Sequence, residues 1–353
     1  MTKSEALRSF RWRQGYARLP WGIDLLLTDA CNLRCSYCPI WGEDSRLPAP
    51  AAFMDTGAAL RFIDEVAPFR PMIRLFGGEP FIHPEWKRVV DHARDHGLHC
   101  TAVSNGMRLI REPEEIVRSG LLAIGISLDT DGAINDEQRG RGTLDTVRRG
   151  LQAVDEVKRR LGSGTPRIEI YTTVHEGTYQ HLVDWADELC SWGIAKLRLQ
   201  HLIWFSSDQH RTSMDLLGGV LPDPSFFRAE DASYCRDRIP DMDMEVLDSQ
   251  LRTLRSRQYP FEIESHPDLS VEEMTRYYAS PEYTRHDKVD CTTMESYAFV
   301  DPRGRLYPCL TLDMGNVFET PFLQVWNGSR FRAFRRLIRE NKRLPLCHRC
   351  PDS

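Results

Sequence analysis

Ten cysteines dominate the chemistry that this sequence is able to perform, and seven of them fall into two groups. The first group lies within eight residues near the amino end, and the second lies within the last 63 residues. The members are Cys31, Cys35 and Cys38 in the first group, and Cys291, Cys309, Cys347 and Cys350 in the second. Cysteine thiolates bind zinc and iron–sulfur clusters. The grouping therefore predicts two metal sites on two structural units.

The composition is that of a globular protein without a membrane segment. The length of 353 residues suggests about two domains. With 41% hydrophobic and 27% charged residues, the chain is able to bury a sizeable core. The net charge of -5 lacks the strongly basic balance that non-specific nucleic-acid binding needs. There is no apolar stretch of about 18 residues, and residues 1–5 have no signal-peptide core. We expect a cytoplasmic protein that binds neither nucleic acid nor membrane, in which cysteines serve as metal ligands or catalytic groups.

Short apolar runs that alternate with helical patterns predict a parallel α/β sheet. The predicted strands are 23–28, 72–76, 100–104, 123–128, 168–174 and 197–200, and the predicted helices are 57–66, 84–96, 114–119, 144–160 and 179–192. The alternation is typical of repeated βαβ units. Right-handed crossovers curl such a sheet into a partial (β/α)6 TIM-like barrel, here over residues 20–205. The first cysteine group directly follows strand one, at the end where such folds bind ligands.

The rest of the chain divides into a connector and a compact tail. Residues 206–285 contain a turn-rich stretch at 221–224 and one helical pattern at 244–257, without strand alternation. We interpret them as a connector that covers the barrel mouth. In the segment 286–353, strands at 297–300 and 305–307 flank a turn, which predicts a β-hairpin. A helix at 330–340 follows it, so we expect a small cluster-binding domain.

The spacing of the first cysteine group points to a cluster with a reactive iron. The pattern is CxxxCxxC with Tyr37 before the last cysteine. A [4Fe-4S] cluster has four irons, so three protein thiolates leave one iron open. The motif resembles that of the radical S-adenosylmethionine (radical SAM) enzymes, which implies a [4Fe-4S] cluster on Cys31, Cys35 and Cys38, with SAM on the open iron. A zinc site that lacks one ligand is the alternative.

Further motifs follow in the order that this family has. The Gly77-Gly78-Glu79 sequence at the end of strand two resembles the turn whose backbone and glutamate hold the methionine amino group of SAM. Arg139 resembles the arginine that pairs with the methionine carboxylate, for which a guanidinium fork suits better than a lysine. The resemblance implies SAM contacts for Tyr37, Gly77, Gly78, Glu79, Ser104, Asn105, Ser127, Asp129 and Arg139. For Ser104, Ser127, Asp129 and Arg139, the alternative is a structural role in forming turns or capping helices.

The resemblance also implies the reaction. An electron from the reduced cluster cleaves SAM to methionine and a 5′-deoxyadenosyl radical, which abstracts a hydrogen atom from the substrate. A flavodoxin- or ferredoxin-type donor is expected to supply the electron. The protein has to place the substrate carbon close to the radical and exclude quenching groups.

The second cysteine group resembles a SPASM or twitch domain. Cys291 and Cys309 flank Gly304 at that domain's usual spacing, and Cys347 and Cys350 complete four ligands. A full SPASM domain continues with three more cysteines, whereas three residues follow Cys350 here, so the count fits the twitch type. The resemblance implies one auxiliary [4Fe-4S] cluster without an open iron, which suits electron transfer. Structural zinc is the alternative.

Three groups outside these motifs have chemistry of their own. Cys235 in the connector is the candidate catalytic residue, because a thiol there can donate a hydrogen atom to a substrate radical. His92 and His96 are four apart on a predicted helix, a spacing that chelates metal, but their polar surroundings favour a surface role. For His175 and His201 we expect core or surface positions, although His201 follows strand six, where it could face the substrate.

The tail favours a small polar substrate. Its cysteine placement, together with Trp326-Asn327 and the aromatic and arginine pattern at 331–335, resembles twitch-type aminocyclitol dehydrogenases. We therefore expect oxidation or epimerisation of a carbinol carbon in a sugar or aminocyclitol of antibiotic biosynthesis. The competing hypothesis is modification of a ribosomally made peptide. Enzymes of that kind often carry an N-terminal recognition domain, and the 22 residues before strand one are too few to form it. A non-catalytic iron–sulfur or zinc protein is the third alternative.

Overall fold

One open sheet of nine strands forms the core of the computed structural model, which describes residues 14–38, 51–221, 235, 238–284, 291–309 and 312–350. The strands are β1 (Gly22–Thr28), β2 (Met72–Gly77), β3 (Cys100–Ser104), β4 (Ala123–Ser127), β5 (Arg167–Val174), β6 (Lys196–His201), β7 (Glu262–His266), β8 (Tyr297–Val300) and β9 (Leu306–Tyr307). Their order is β7-β6-β5-β4-β3-β2-β1-β8-β9. Strands β1 to β7 are parallel neighbours in chain order. The predicted α/β partial-barrel fold, with a C-terminal hairpin and helix, is confirmed.

Helices connect the strands in the manner of βαβ units. They are α1 (Thr56–Val66), α2 (Trp86–Asp95), α3 (Pro113–Arg118), α4 (Gly132–Arg139), α5 (Thr143–Leu161), α6 (Leu182–Leu189), α7 (Ser207–Gly218), α8 (Met244–Ser256), α9 (Val271–Ala279), α10 (Thr293–Ser296), α11 (Phe322–Trp326) and α12 (Ser329–Asn341). The sequence missed α4, α7, α9, α10 and α11, so the expectation of one helix in 206–285 is wrong. Of these, α4 is a short and mostly polar helix that begins after Asp131. The carboxylate of Asp131 accepts hydrogen bonds from the backbone N–H groups of Ala133 and Ile134, which stabilises the first turn.

The two faces of the sheet differ in polarity. On β1, Ile23, Leu25 and Leu27 are fully buried on one face. Helices cover that face. For example, the indole N–H of Trp185 in α6 donates to the hydroxyl of Thr172, which lies on the same face of β5. The other face carries charged and hydroxyl side chains and forms the interior of the partial barrel. Such alternation is expected of strands with only one apolar face.

The connector contributes a seventh parallel strand, which the sequence did not predict. β7 pairs with β6 from Lys196 opposite Glu262 to Gln200 opposite His266. Its sequence has one aliphatic residue, Ile263, so the apolar alternation that signals a strand is weak. The expectation of a connector without strands is therefore wrong. The predicted helix at 244–257 is confirmed as α8, and residues 222–224 of the predicted turn lie outside the described residues.

The predicted C-terminal hairpin is confirmed, and it is joined to the barrel sheet. Strands β8 and β9 pair antiparallel across a turn in which Asp301 N–H donates to the Arg305 carbonyl oxygen. Gly304 has φ +84°, a left-handed conformation that glycine adopts without strain. β8 also pairs parallel with β1, with Gly22 opposite Tyr297. The tail therefore continues the main sheet beyond its first strand. Within the described residues, no helix is long and apolar enough to cross a membrane.

Candidate active site

The first cysteine group lies in a loop after the carboxyl end of β1, and the turn after β2 packs against it. Gly78 N–H donates to the Thr28 carbonyl oxygen, and Glu79 N–H donates to the Ala30 carbonyl oxygen, both at 2.8 Å. Gly77 has φ +120°, and a Cβ on Gly78 would lie 2.0 Å from the Ala30 oxygen. Both positions therefore need glycine. The Gly-Gly sequence lets two strand ends approach each other at backbone distance.

The carboxylate of Glu79 joins the ends of β2 and β3. It is fully buried and accepts hydrogen bonds from the Ser104 hydroxyl (2.9 Å), the Asn105 N–H (2.7 Å) and the Phe81 N–H (3.1 Å). Burial raises the pKa of Glu79 to about 7, although these donors favour the ionised form. The structure thus brings Glu79, Ser104 and Asn105 together as the sequence predicts. It directs this carboxylate towards β3, and its contact with SAM stays a prediction.

Amide donors approach the sulfur of Cys31. The Leu33 N–H donates to Cys31 Sγ at 3.4 Å, and the Asn105 side-chain amide lies 3.6 Å from the same atom. The Asn105 amide also donates to the Asn32 side chain at 2.8 Å, which fixes its orientation. Burial raises the pKa of the Cys31 thiol to about 12. The sulfur therefore keeps its proton at neutral pH unless a bound metal centre replaces it.

Tyr37, Asp129 and Arg139 form a hydrogen-bonded network, named here the Asp129 network, at the end of β4. The Tyr37 hydroxyl donates to Asp129 Oδ2 at 2.6 Å, and Arg139 donates to both carboxylate oxygens, at 2.9 and 3.4 Å. The Asp129 side chain is fully buried, and the Arg139 side chain is 7% exposed. Burial raises the pKa of Cys35, and the charge of Arg139 opposes that rise. The network fastens the cysteine loop to β4 and α4.

The predicted SAM ligands Asp129 and Arg139 are thus brought together, but they bind each other. Ser36 adds to the same attachment, because its N–H donates to the Gln138 carbonyl oxygen at 2.9 Å. Ser127 lies on the inner face at the end of β4, opposite Tyr171 in register. The SAM contacts predicted for these side chains stay predictions.

His175 has a core position, one of the two that the sequence predicts, and it also packs beside the site. It is buried, it follows the last residue of β5, and its ring centroid lies 5.8 Å from that of Tyr37. Its position directly after a parallel strand was the available signal, since ligands bind at that end of such strands. His201 is different. Its ring nitrogens lie 2.8 Å from the Tyr278 hydroxyl and 3.2 Å from the Ser265 hydroxyl, and it is fully buried on the helix-covered face. The core position is therefore confirmed, and His201 does not face the barrel interior.

The second cysteine group lies where the tail packs against the helices after β6. All four cysteines, Cys291, Cys309, Cys347 and Cys350, are half-buried. Burial raises the pKa of Cys347 to about 12, and the neighbouring Cys291 sulfur adds to that rise. The Cys350 N–H donates to the Cys347 carbonyl oxygen at 3.0 Å, which closes a turn between them.

Arg349 anchors the turn that carries the last two cysteines. Its buried guanidinium lies 3.6 Å from the centroid of the Trp204 ring and donates to the Tyr277 carbonyl oxygen at 2.9 Å. Burial lowers the pKa of Arg349 to about 10. A buried guanidinium that is stacked and hydrogen-bonded in this way holds the turn against α9.

The cysteine sulfurs of the described residues are less closely grouped than the donor atoms at one other place in the fold. Among the described residues, the one set of three metal-binding atoms within 4.8 Å of one another is on Asp64, His92 and His96, so no three cysteine sulfurs converge that closely. A tetrahedral zinc ion with Zn–S bonds of about 2.3 Å holds its sulfurs about 3.8 Å apart. A cubane binds each sulfur to a separate iron.

Cys235 lies beyond the end of β6. It forms an isolated β-bridge with Phe205, and its sulfur lies 3.6 Å from the Ser207 hydroxyl. The chain on either side of it, at 222–234 and 236–237, lies outside the described residues. Its role as a hydrogen donor stays a prediction.

The inner face of the sheet is lined by paired charges. Asp24 on β1 is fully buried and accepts hydrogen bonds from Arg74 on β2, at 2.9 Å for the Arg74 Nε. On the opposite side, Glu264 on β7 accepts from Lys196 at 3.0 Å and from Arg198 at 3.2 Å. The side chains of Arg74, Arg198 and Glu264 are 27%, 25% and 30% exposed, so solvent reaches this face.

Two tyrosine rings also lie on that face. The ring of Tyr171 covers Gly125, where a Cβ would lie 2.4 Å from it, and the ring of Tyr297 covers Gly22. The Tyr171 hydroxyl donates to Glu169 at 3.0 Å. The inner face thus offers hydrogen-bond donors and acceptors of both charges beside flat aromatic surfaces.

Comparison with known proteins relates both sites to one enzyme group. Residues 25–187 match the radical SAM superfamily, and residues 291–351 match SPASM, an iron–sulfur cluster-binding domain. The chain is 25% identical to the AdoMet-dependent heme synthase of Methanosarcina barkeri over 334 residues, which cover 88% of this chain and 83% of that protein. It is 32% identical to the mycofactocin maturase MftC of Mycobacterium tuberculosis over 129 residues, 36% of this chain and 32% of that protein.

A solved structure shares the fold. SuiB of Streptococcus suis, bound to S-adenosylmethionine, superposes with a TM-score of 0.64 at 15% identity. The similarity covers 92% of this chain and 69% of the SuiB chain. At that identity the likeness concerns the fold.

Proposed function

This chain is a radical SAM enzyme with a C-terminal SPASM iron–sulfur domain, and from that premise we propose that it oxidises or epimerises a carbinol carbon of a small, hydroxyl-rich substrate such as a sugar or aminocyclitol. Cys31, Cys35 and Cys38 would hold the cluster that binds SAM. Cys291, Cys309, Cys347 and Cys350 would hold the auxiliary cluster. When bound, these groups supply a 5′-deoxyadenosyl radical that removes a hydrogen atom and an acceptor for the second electron of an oxidation.

The chain's own residues position the reactants. The Asp129 network holds the cysteine loop against β4, and Glu79 ties the ends of β2 and β3. Both are buried, so the site keeps its shape before SAM arrives, and less binding free energy is lost to ordering. The Asn105 amide near Cys31 supports the sulfur by donating towards it.

The polar inner face is the observation that carries the substrate class. Its ion pairs are Asp24–Arg74 on β1 and β2, the strands that the first site follows, and the pairs of Glu264 with Lys196 and Arg198 on β6 and β7. A hydroxyl- or amine-bearing molecule exchanges its bonds with water for bonds with such groups. An apolar substrate would displace the water that reaches Arg74, Arg198 and Glu264 without replacing its hydrogen bonds, at about 1–3 kcal/mol for each group left unsatisfied. This face therefore favours a polar substrate.

Transfer of deuterium tests the reaction and the substrate class together. Cluster-loaded, reduced protein is incubated without oxygen with SAM and a panel of aminocyclitols and amino sugars deuterated at the carbinol carbons. We expect one deuterium in 5′-deoxyadenosine with at least one member, and none with Cys35→Ala protein. If SAM is cleaved but no member donates deuterium, the proposed substrate class is wrong while the enzyme class stands.

The fate of the substrate radical separates oxidation from epimerisation. Oxidation gives a ketone and does not need a hydrogen donor. Epimerisation returns a hydrogen atom, which we propose to come from the Cys235 thiol; one electron from the flavodoxin- or ferredoxin-type donor and one proton from solvent would then restore that thiol. In that case Cys235→Ser should stop product formation while SAM cleavage continues, and a ketone product with unchanged turnover would assign oxidation.

A tetrapyrrole substrate is the second candidate, because one relative matched over 88% of the chain is a heme synthase. Modification of a peptide is a further alternative, since a maturase matches part of the barrel. The same deuterium assay with porphyrin precursors and with peptides distinguishes these classes. The charged inner face favours neither a large planar ring nor an extended peptide over a small polar molecule.

A further inference from the structure

We propose that Asp64, His92 and His96 form a binding site for a divalent transition-metal ion such as Zn²⁺ on the outer side of the barrel. This three-residue site, the α1–α2 site below, joins α1, which carries Asp64, to α2, which carries His92 and ends just before His96. It contains no cysteine and is separate from both cluster sites. The inference does not depend on the proposed function.

The donor atoms already converge. His92 Nε2 lies 2.6 Å from Asp64 Oδ1, and His96 Nε2 lies 2.9 Å from the same oxygen. The two imidazole centroids are 4.9 Å apart, as expected for histidines one helical turn apart. All three donor atoms lie within 4.8 Å of one another, and the other described His, Cys, Asp and Glu side chains form no such set.

The helices that carry these donors are held in place by the core. Phe62 and Ile63, which precede Asp64 on α1, are buried, and so are Val89 and Ala93 on α2. The metal ion therefore meets a set whose backbone positions are fixed, and little conformational entropy is lost on binding. The three side chains are 53%, 27% and 38% exposed, so an ion reaches them from solvent.

The chemistry of the set selects the kind of ion. Two imidazole nitrogens and one carboxylate oxygen are ligands typical of zinc and neighbouring transition metals, whereas calcium and magnesium prefer oxygen. Without an ion, both Nε2–H groups are placed to donate to Asp64. With an ion, each Nε2 gives up its proton and offers its lone pair to the metal, the neutral imidazole carries its proton on Nδ1 instead, and water completes the coordination.

Zinc titration of the cluster-loaded protein tests the site. Calorimetry without oxygen compares wild type with His96→Ala, and His99→Ala is the matched control, since His99 is exposed nearby and outside the donor set. Loss of even an outer-shell partner weakens metal binding about 10–100-fold. We therefore expect one zinc ion in wild type and in the control, and an affinity at least about tenfold lower in His96→Ala. Asp64→Asn should weaken binding in the same way.

Zinc-edge X-ray absorption identifies the ligands directly. We expect nitrogen and oxygen at about 2.0–2.2 Å without sulfur, and iron content unchanged by the titration. A sulfur shell at about 2.3 Å would place the zinc on cysteines and overturn the proposal. Equal binding in wild type, His96→Ala and Asp64→Asn, or no stoichiometric binding in wild type, would also overturn it. Circular dichroism confirms that each variant is folded.

Discussion

Replacement of Asp129 by Asn tests how the cysteine loop is held. The carboxylate is fully buried and pairs with Arg139, whose side chain is 7% exposed. Loss of one partner of a buried ion pair costs about 3–5 kcal/mol, because the other charge stays buried without compensation. Unfolding entropy is about 2.1 cal/mol/K per residue, or about 0.74 kcal/mol/K for this length. We therefore expect Asp129→Asn to lower Tm by about 4–7 °C, measured by anaerobic thermal denaturation of cluster-loaded protein.

Asp131→Asn, the same substitution two residues further along the chain, is the control. Asp131 caps α4, and asparagine is an equally good cap, so Asp131→Asn should change Tm by less than about 1 °C. Tyr37→Phe removes one hydrogen bond to a charged group, worth about 1.5–3 kcal/mol, and should lower Tm by about 2–4 °C. If Asp129→Asn is no more destabilising than Asp131→Asn, the buried pair does not hold the loop.

Three further predictions concern the two clusters, the inner face and one buried histidine. Cys35→Ala should reduce the iron content from about eight to about four per chain and abolish 5′-deoxyadenosine formation. Cys347→Ala should also lose about four irons, those of the other cluster, and keep SAM cleavage. Equal loss of cleavage in both variants would contradict the division of roles. Gly125→Ala should cost about 1–3 kcal/mol in thermal denaturation, because its Cβ would lie 2.4 Å from a tyrosine ring, and Gly132→Ala, with no atom nearer than 3.8 Å, is the control that should match wild type. Burial lowers the pKa of His201 to about 3 from an ordinary 6.5, so the unfolded chain binds a proton that the folded protein does not, and stability should fall by about 1.4 kcal/mol between pH 7.5 and 5.5. An identical pH dependence in His201→Gln would refute that assignment.

The sequence predicted the strands that are apolar on one face and missed those that are not. β1 to β6 each place two or more aliphatic or small apolar residues on the helix-covered face, so their pattern is visible. β7 has one aliphatic residue and is placed by pairing with β6, a tertiary contact that leaves little trace in local sequence. The pairing of β8 with β1 is likewise a contact between distant segments.

The site shows the same division between spacing and contact. Cysteine spacing and the Gly77–Gly78 turn were readable, because each is a local requirement of backbone geometry or ligand number. That Arg139 binds Asp129, or that Asp64 meets two histidines from another helix, depends on how elements pack. The polar pattern around the two histidines favoured a surface role despite their chelating spacing, and the neighbouring helix supplies the third donor.

Electron–nuclear double resonance of the reduced protein with isotope-labelled SAM tests the central claim most directly. With ¹⁵N and ¹⁷O in the methionine amino and carboxylate groups, we predict resolved couplings of both nuclei to the cluster on Cys31, Cys35 and Cys38. These couplings should persist in Cys347→Ala protein and disappear in Cys35→Ala protein. Absence of any coupling in wild type, with an electron paramagnetic resonance spectrum unchanged by SAM, would contradict the account.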